Sequence, residues 1–189
     1  MDHRRKLHFD EKKSTQLASI FLKLRGNRMK HLKLIKLMYL TDREAFKRWG
    51  HPITGDFYFS MENGPVLSNV LDLIGSEPLP NRKSEWLDSI RVTSNHDVEL
   101  LNDPGNNCLS DAEVELATEI FEEYGYKNRW VIVDFTHTFP EYKQTDKENR
   151  RLPIEYEDLL KAVGKTPEEA HQICEFLFSV SKAKSLLSL

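Results

Sequence analysis

His137 is the residue with the most chemistry around it: Asp134 lies one helical turn before it and Glu141 four residues after. A histidine between two carboxylates can hold a metal or act as a general base. A metal site needs three or four ligands on a compatible backbone, and Pro140 interrupts this spacing. The trio therefore reads as structural, and neither a metal nor a cofactor is expected. A second charged residue stands out in "LIKLMYLTDREAFKRWG". Read as a helix, Leu32, Ile35, Tyr39, Asp42, Phe46 and Trp49 share one stripe, five apolar or aromatic and one a carboxylate. A charge on a buried stripe is costly unless it is paired or hydrogen-bonded. Asp42 is thus either a satisfied structural group or part of a site. A third place is "ENGPV", where Asn63-Gly64 turns the chain and Pro65 suits the first position of a helix. Free N–H groups there could bind an anion, but Glu62 beside them repels one. That corner is structural or a polar recognition corner.

No residue is assigned a catalytic role. The eight glycines form neither GxGxxG nor GxxxxGK[ST], and GxSxG and HExxH are absent. Cys108 and Cys174 belong to no CxxC and read as reduced thiols of a cytoplasmic protein. The start "MDHRRKLHFDEKK" carries no signal-peptide core, and no apolar run reaches the roughly 18–20 residues of a membrane span.

The elements that must position these residues follow from periodicity and caps. Asp10 caps a helix bearing Leu17, Ile20, Phe21 and Leu24, which Gly26-Asn27 ends. A second helix runs from about Met29 to Trp49, ended by Gly50. It is apolar on another side too, through Leu34, Leu37, Met38, Thr41 and Ala45, which makes it the central helix. Asp56–Glu62 reads as a strand, and a helix from Pro65 turns Val66, Val70 and Leu73 inward. "EPLPN" is a loop. Leu87–Val92 and Val98–Leu101 form a hairpin around Ser94-Asn95-His96-Asp97. Ser110 and Glu113 make a capping box for a helix bearing Val114, Ala117, Ile120, Phe121 and Tyr124, which Gly125 breaks. Asn128–Thr138 is a short helix, although "RWVIVDF" also suits a strand. After the loop "EYKQTDKENRR" come a helix over Ile154–Val163 and a last helix boxed by Thr166 and Glu169. That helix buries Ala170, Ile173, Cys174, Leu177 and Phe178. The sum is an α+β fold: a mostly helical single domain over 1–189 around a buried central helix. It has about seven helices and a small three-stranded antiparallel sheet. Its core spans about 9–178, with a basic start at 1–8 and a flexible tail at 182–189.

Net charge is −3, so nothing draws the whole chain toward nucleic acid or membrane. Its distribution is uneven. Residues 1–36 hold eleven Lys or Arg against three Asp or Glu, while 92–126 hold nine Asp or Glu and no Lys or Arg. The first two helices invite a helix-turn-helix reading. The second is apolar on two sides, however, with Lys30, Lys33 and Lys36 only in its first turns, so it lacks the exposed face a recognition helix presents. Nucleic-acid binding is therefore not the expectation.

The order of the segments resembles a known family. "KLIKLMYLTDREAFKRWGHPITGDFYFSMENGPVLSNVLDLI" is similar to the signature of the Panacea antitoxin domain, the SocA-like group, at Lys36-Leu37, Tyr39-Leu40, Asp42, Gly50, Pro52, Asp56 and Gly64-Pro65-Val66. "LSDAEVELATEIFEEYGYKNRWVIVDFTHTFPEY" resembles the family's acidic-capped helix, then "YG", then "TH" followed by proline. Tyr142 stands where the pattern leads one to expect tryptophan. The likeness covers roughly Phe9 to Phe178.

The resemblance implies a non-enzymatic antitoxin of a bacterial or phage toxin–antitoxin pair. It would neutralise a co-encoded toxin by direct binding, with alternatives in a proteolytic adaptor serving a Clp-type protease and a DNA-binding autorepressor. It implies structural roles for Tyr39, Asp42, Gly50, Pro52, Asp56, Gly64, Pro65 and His137. Asp42 would accept hydrogen bonds from the turn around Gly55 or from the "TH" segment. Candidate toxin contacts are Tyr58, Phe59, Met61, Glu62, Asn63, Tyr126 and Trp130, with Tyr124 beside them, since aromatic anchors dominate interfaces, although the aromatics and Met61 suit the core at least as well. The acidic 92–126 segment suits a basic toxin.

Overall fold

A computed structural model describes residues 5–76 and 83–187. The "EPLPN" loop lies outside the described residues. Helix α1 (Glu11–Leu24) is capped by Asp10, whose carboxylate accepts the Lys13 N–H at 2.9 Å. Gly26 and Asn27, both left-handed, turn the chain into strand β1 (Arg28–Lys30). Helix α2 (His31–Trp49) follows and ends at Gly50, whose φ of 75° suits a left-handed cap. Strand β2 (Tyr58–Met61) and strand β3 (Gly64–Leu67) form a hairpin, and helix α3 (Ser68–Ile74) follows. Next come helix α4 (Glu85–Ser89), strand β4 (Ile90–Val92) and strand β5 (Asp97–Leu100). Helix α5 (Asp111–Tyr124) opens with the Ser110–Glu113 capping box. Helix α6 (Arg129–His137), strand β6 (Leu152–Ile154), helix α7 (Tyr156–Ala162) and helix α8 (Pro167–Leu187) complete the order.

Helix α2 is the centre. Leu34, Ile35, Leu37, Met38, Tyr39, Leu40, Ala45 and Phe46 are buried around its circumference. Helices α1, α3, α5, α6 and α7 and strands β1 and β3 all pack on it. This is what an apolar pattern on several sides of one helix requires.

The β structure differs from the sequence expectation of one sheet. Two antiparallel three-stranded sheets form, ordered β1-β5-β4 and β3-β2-β6. The expected hairpin is β4–β5, and β1 adds to it with Met29 opposite Val98. The expected strand over Asp56–Glu62 is β2, which β6 joins with Tyr58 opposite Ile154. β1 and β6 are three residues each, too short to show a period, and Pro153 confines β6 to an edge. Pro65 does not start a helix. It sits in β3 opposite Ser60, and α3 begins at Ser68. The strand expected from Leu87 begins as helix α4, because the Ser84 hydroxyl accepts the Leu87 N–H and caps a turn there. The expected loose tail is helical through Leu187. Among the described residues, no helix is long and apolar enough to cross a membrane.

Candidate functional site

Two buried carboxylates set the β2–β3 hairpin in place. Asp42 projects from α2 and is fully buried. Its Oδ1 accepts the N–H groups of Ile53 (2.8 Å) and Thr54 (3.2 Å). Its Oδ2 accepts the hydroxyls of Thr54 and of Tyr58 (2.8 Å). Burial pushes its pKa up, and these four donors oppose the shift. The donors thus come from the segment just before Gly55 and from β2, not from the "TH" segment. Asp56 is equally buried. Its Oδ1 accepts the Phe57 and Asn69 N–H groups (2.8 and 2.9 Å) and its Oδ2 the Val70 N–H (3.0 Å). It therefore supplies α3 with an N-terminal acceptor from outside the helix. Burial raises its pKa to about 6 against those hydrogen bonds. Tyr156 donates its hydroxyl to the Asp56 carbonyl at 3.0 Å, tying α7 to the same point.

Beneath the hairpin tip lies a different kind of polar cluster. Lys36 of α2 is fully buried, and its Nζ donates to the Pro65 carbonyl at 2.6 Å. Burial pushes its pKa down to about 7. Gly64 crosses directly above it with φ +89°. A Cβ there would lie 2.7 Å from Thr136 Oγ1 and 2.8 Å from Lys36 Nζ, so only glycine fits. His137 closes the cluster from the end of α6. Its ring stacks on Tyr142 with centroids 4.5 Å apart, and its buried Nε2 has no hydrogen-bond partner. Burial first, and then the Lys36 charge, hold its pKa down. Tyr142 donates to the Met61 carbonyl at 3.2 Å, so the tyrosine that replaces the expected tryptophan clamps His137 against β2.

The Asp134–His137–Glu141 trio is not assembled. Glu141 is buried and turned to α2, where it accepts from Tyr39 Oη (2.9 Å) and Arg43 Nε (2.7 Å). No group of His, Cys, Asp and Glu able to hold a metal ion occurs among the described residues.

The candidate contact residues divide. Tyr58 and Phe59 are buried, at 1% and 7% exposure, because β2 is the middle strand of its sheet; they belong to the core, not to a partner surface. Met61 is half-buried, while Glu62 and Asn63 stand exposed at the hairpin tip. Tyr126 and Trp130 are 72% and 48% exposed. Trp130 opens α6 and the tip lies at its far end, about 10 Å along the helix axis at about 1.5 Å per residue. Tyr124 stacks on Phe135 with centroids 5.5 Å apart. Of the implied structural positions, Tyr39, Asp42, Asp56, Gly64 and Pro65 are buried, and Pro52 and His137 are half-buried.

Sequence reasoning missed Val131 and Phe135, exposed at 54% and 38% on the same outward face of α6 as Trp130. Nothing in an apolar run says which members face water. It also missed the burial of Lys36, for which a signal existed. Lys36 lies four residues after Leu32 and three before Tyr39, on the stripe that singled out Asp42.

The protein-family model described as "Antitoxin SocA-like, Panacea domain" matches residues 34–143. The match starts inside α2 and ends after Tyr142, so it contains Asp42, Asp56, the hairpin, the Lys36–His137 cluster and the whole of α6. No curated protein and no solved structure matches the chain. With more than half of its length under that model, the chain belongs to the SocA-like antitoxin family that carries the Panacea domain.

Proposed function

We propose that the chain is the antitoxin of a bacterial or phage toxin–antitoxin pair. It neutralises a co-encoded toxin by direct binding, with the outer face of α6 and the hairpin tip as the contact surface. The observation that carries this reading is the α6 face. Inside the family-matched segment, a nine-residue helix turns Trp130, Val131 and Phe135 to solvent while Ile132, Val133 and Thr136 hold it to the body. Exposed apolar side chains grouped on one helix face suit a partner interface, and aromatic anchors give most of the affinity in such contacts. Glu62 and Asn63 supply a polar rim at one end. Exposed Glu115, Glu119, Glu122 and Glu123 on neighbouring α5 supply negative charge, which suits a toxin with a basic surface.

The test is capture of the tagged chain from its native host after nuclease treatment. A near-stoichiometric small protein, encoded next to it and toxic alone, is expected. Recovery of no such protein removes the reading. Trp130→Ala with Val131→Ala, both among the more exposed apolar positions of the face, is then expected to keep the melting temperature and lose neutralisation. Full neutralisation by that double variant would leave the toxin interaction standing and remove this surface from it.

A further inference from the structure

A solvent-open groove of about 700 Å³ lies between the α1–β1–α2 junction and the turn joining α5 to α6. Arg25, Arg28, Lys30 and Lys33 line one wall, and Lys127 and Arg129 the other. Asp97 is the one carboxylate among the described residues that line it. It pairs with both Arg28 and Lys30 at 2.9 Å, so the cations outnumber the acids by five. Their crowding is visible in Lys33. Its ammonium sits on the Lys127 carbonyl at 2.7 Å, and its pKa is held down by burial and then by Arg25. The first turns of α2 and α6 open onto the same groove, so the positive ends of two helix dipoles add to it. Such a concentration of one sign raises the local density of anions and relieves its own repulsion by binding them.

The second feature is aromatic. Exposed Tyr126 and Trp130 stand among these cations, with the Arg25 guanidinium 5.8 Å from the Tyr126 ring and that of Arg129 5.2 Å from Trp130. A stretch of glutamates would pair with the cations and leave the rings unused. A polynucleotide uses both, placing phosphates on the cations and base faces on the rings. Double-stranded DNA fits poorly, because α2 is buried from Lys33 to Asp42 and so presents no exposed recognition face to a major groove. We propose that this groove binds single-stranded nucleic acid with little sequence preference, its backbone along the cations and its bases stacked on Tyr126 and Trp130.

Fluorescence anisotropy of a labelled oligo(dT) of about twelve nucleotides, a length within the reach of such sites, tests this on the full chain. Affinity is expected to fall with salt between about 50 and 200 mM, with a log–log slope near −3 for the four cations that Asp97 does not pair, at about 0.7 each. Arg25→Ala with Lys127→Ala should weaken binding at least about tenfold and lower the slope by about 1.4. Trp130→Ala should weaken it about tenfold with the slope unchanged. Absence of binding at the lowest salt, wild-type binding by all variants, or equal or tighter binding of a poly-glutamate peptide or of the duplex would overturn the assignment. Arg25 and Lys127 lie outside the proposed toxin surface. Toxin capture by that double variant therefore reports on the antitoxin reading independently of the groove.

Discussion

Two sets of buried charge sit within a few residues of each other and are treated in opposite ways. Asp42, Asp56 and Glu141 are carboxylates enclosed by donors: four for Asp42, backbone amides for Asp56, Tyr39 and Arg43 for Glu141. Lys36 is as deeply buried but donates to a single carbonyl, and His137 beside it leaves Nε2 unpartnered. A buried polar group that is fully paired fixes one geometry, whereas one that is half-paired costs stability. The carboxylates read as the frame that fixes the hairpin. The Lys36–His137 cluster reads as a place where stability is given up directly under the exposed tip.

The largest test of that contrast is Asp42→Ala. It leaves two N–H groups and two hydroxyls unpaired in the core, and a loss of about 4 kcal/mol in denaturant unfolding is expected. An unchanged melting temperature would show that the frame is not one.

Lys36 gives the next effect through pH. Its folded pKa, about 7, lies below the unfolded value of 10.5, so the unfolded chain binds the extra proton between them. Stability should therefore rise from pH 7 toward pH 10, by of order 3 kcal/mol, and Lys36→Met should flatten that rise. Asp56 acts on the acid side. Its folded pKa, about 6, lies above 3.8, so its stabilisation is full below about pH 4 and lost by about pH 6. From these two groups, stability passes through a minimum between pH 6 and 7, measurable by melting across the range.

Gly64→Ala comes third. A φ of +89° and contacts under 3 Å with Thr136 and Lys36 should cost about 2 kcal/mol, read in thermal melts, and more than Gly26→Ala, whose Cβ meets nothing. Smallest in stability is Trp130→Ala, expected within about 0.5 kcal/mol of wild type because the ring is half exposed. Its effect should fall on binding instead, which separates surface from frame.

How much of this was legible depends on distance along the chain. The stripe through Tyr39, Asp42 and Phe46 announced a central helix with a buried acid, because periodicity is local. The Asn63-Gly64 turn and the Ser110–Glu113 cap were legible for the same reason. β3 was not. Pro65 suits a helix start by local rule, but the acceptor that lets α3 begin at Ser68 is Asp56, thirteen residues before Asn69. The aromatics Tyr58-Phe59 suited either the core or a partner contact, and their place between β3 and β6 decides for the core. The basic excess of residues 1–36 was plain, but not that Lys36 would be buried while Arg25 and Lys33 would meet Lys127 and Arg129 from far along the chain.

Strand β6 has a practical meaning for anyone cutting this protein down. It lies past residue 143, and α1, with core residues Leu17 and Phe21, lies before residue 34. A fragment trimmed to the family-matched segment would strip β2 of one neighbour and bare a row of unpaired N–H and C=O groups along Tyr58–Ser60. It would also lose one wall of the core. Such a fragment is expected to self-associate through that open edge, because the family-matched segment omits elements that pair and pack with it.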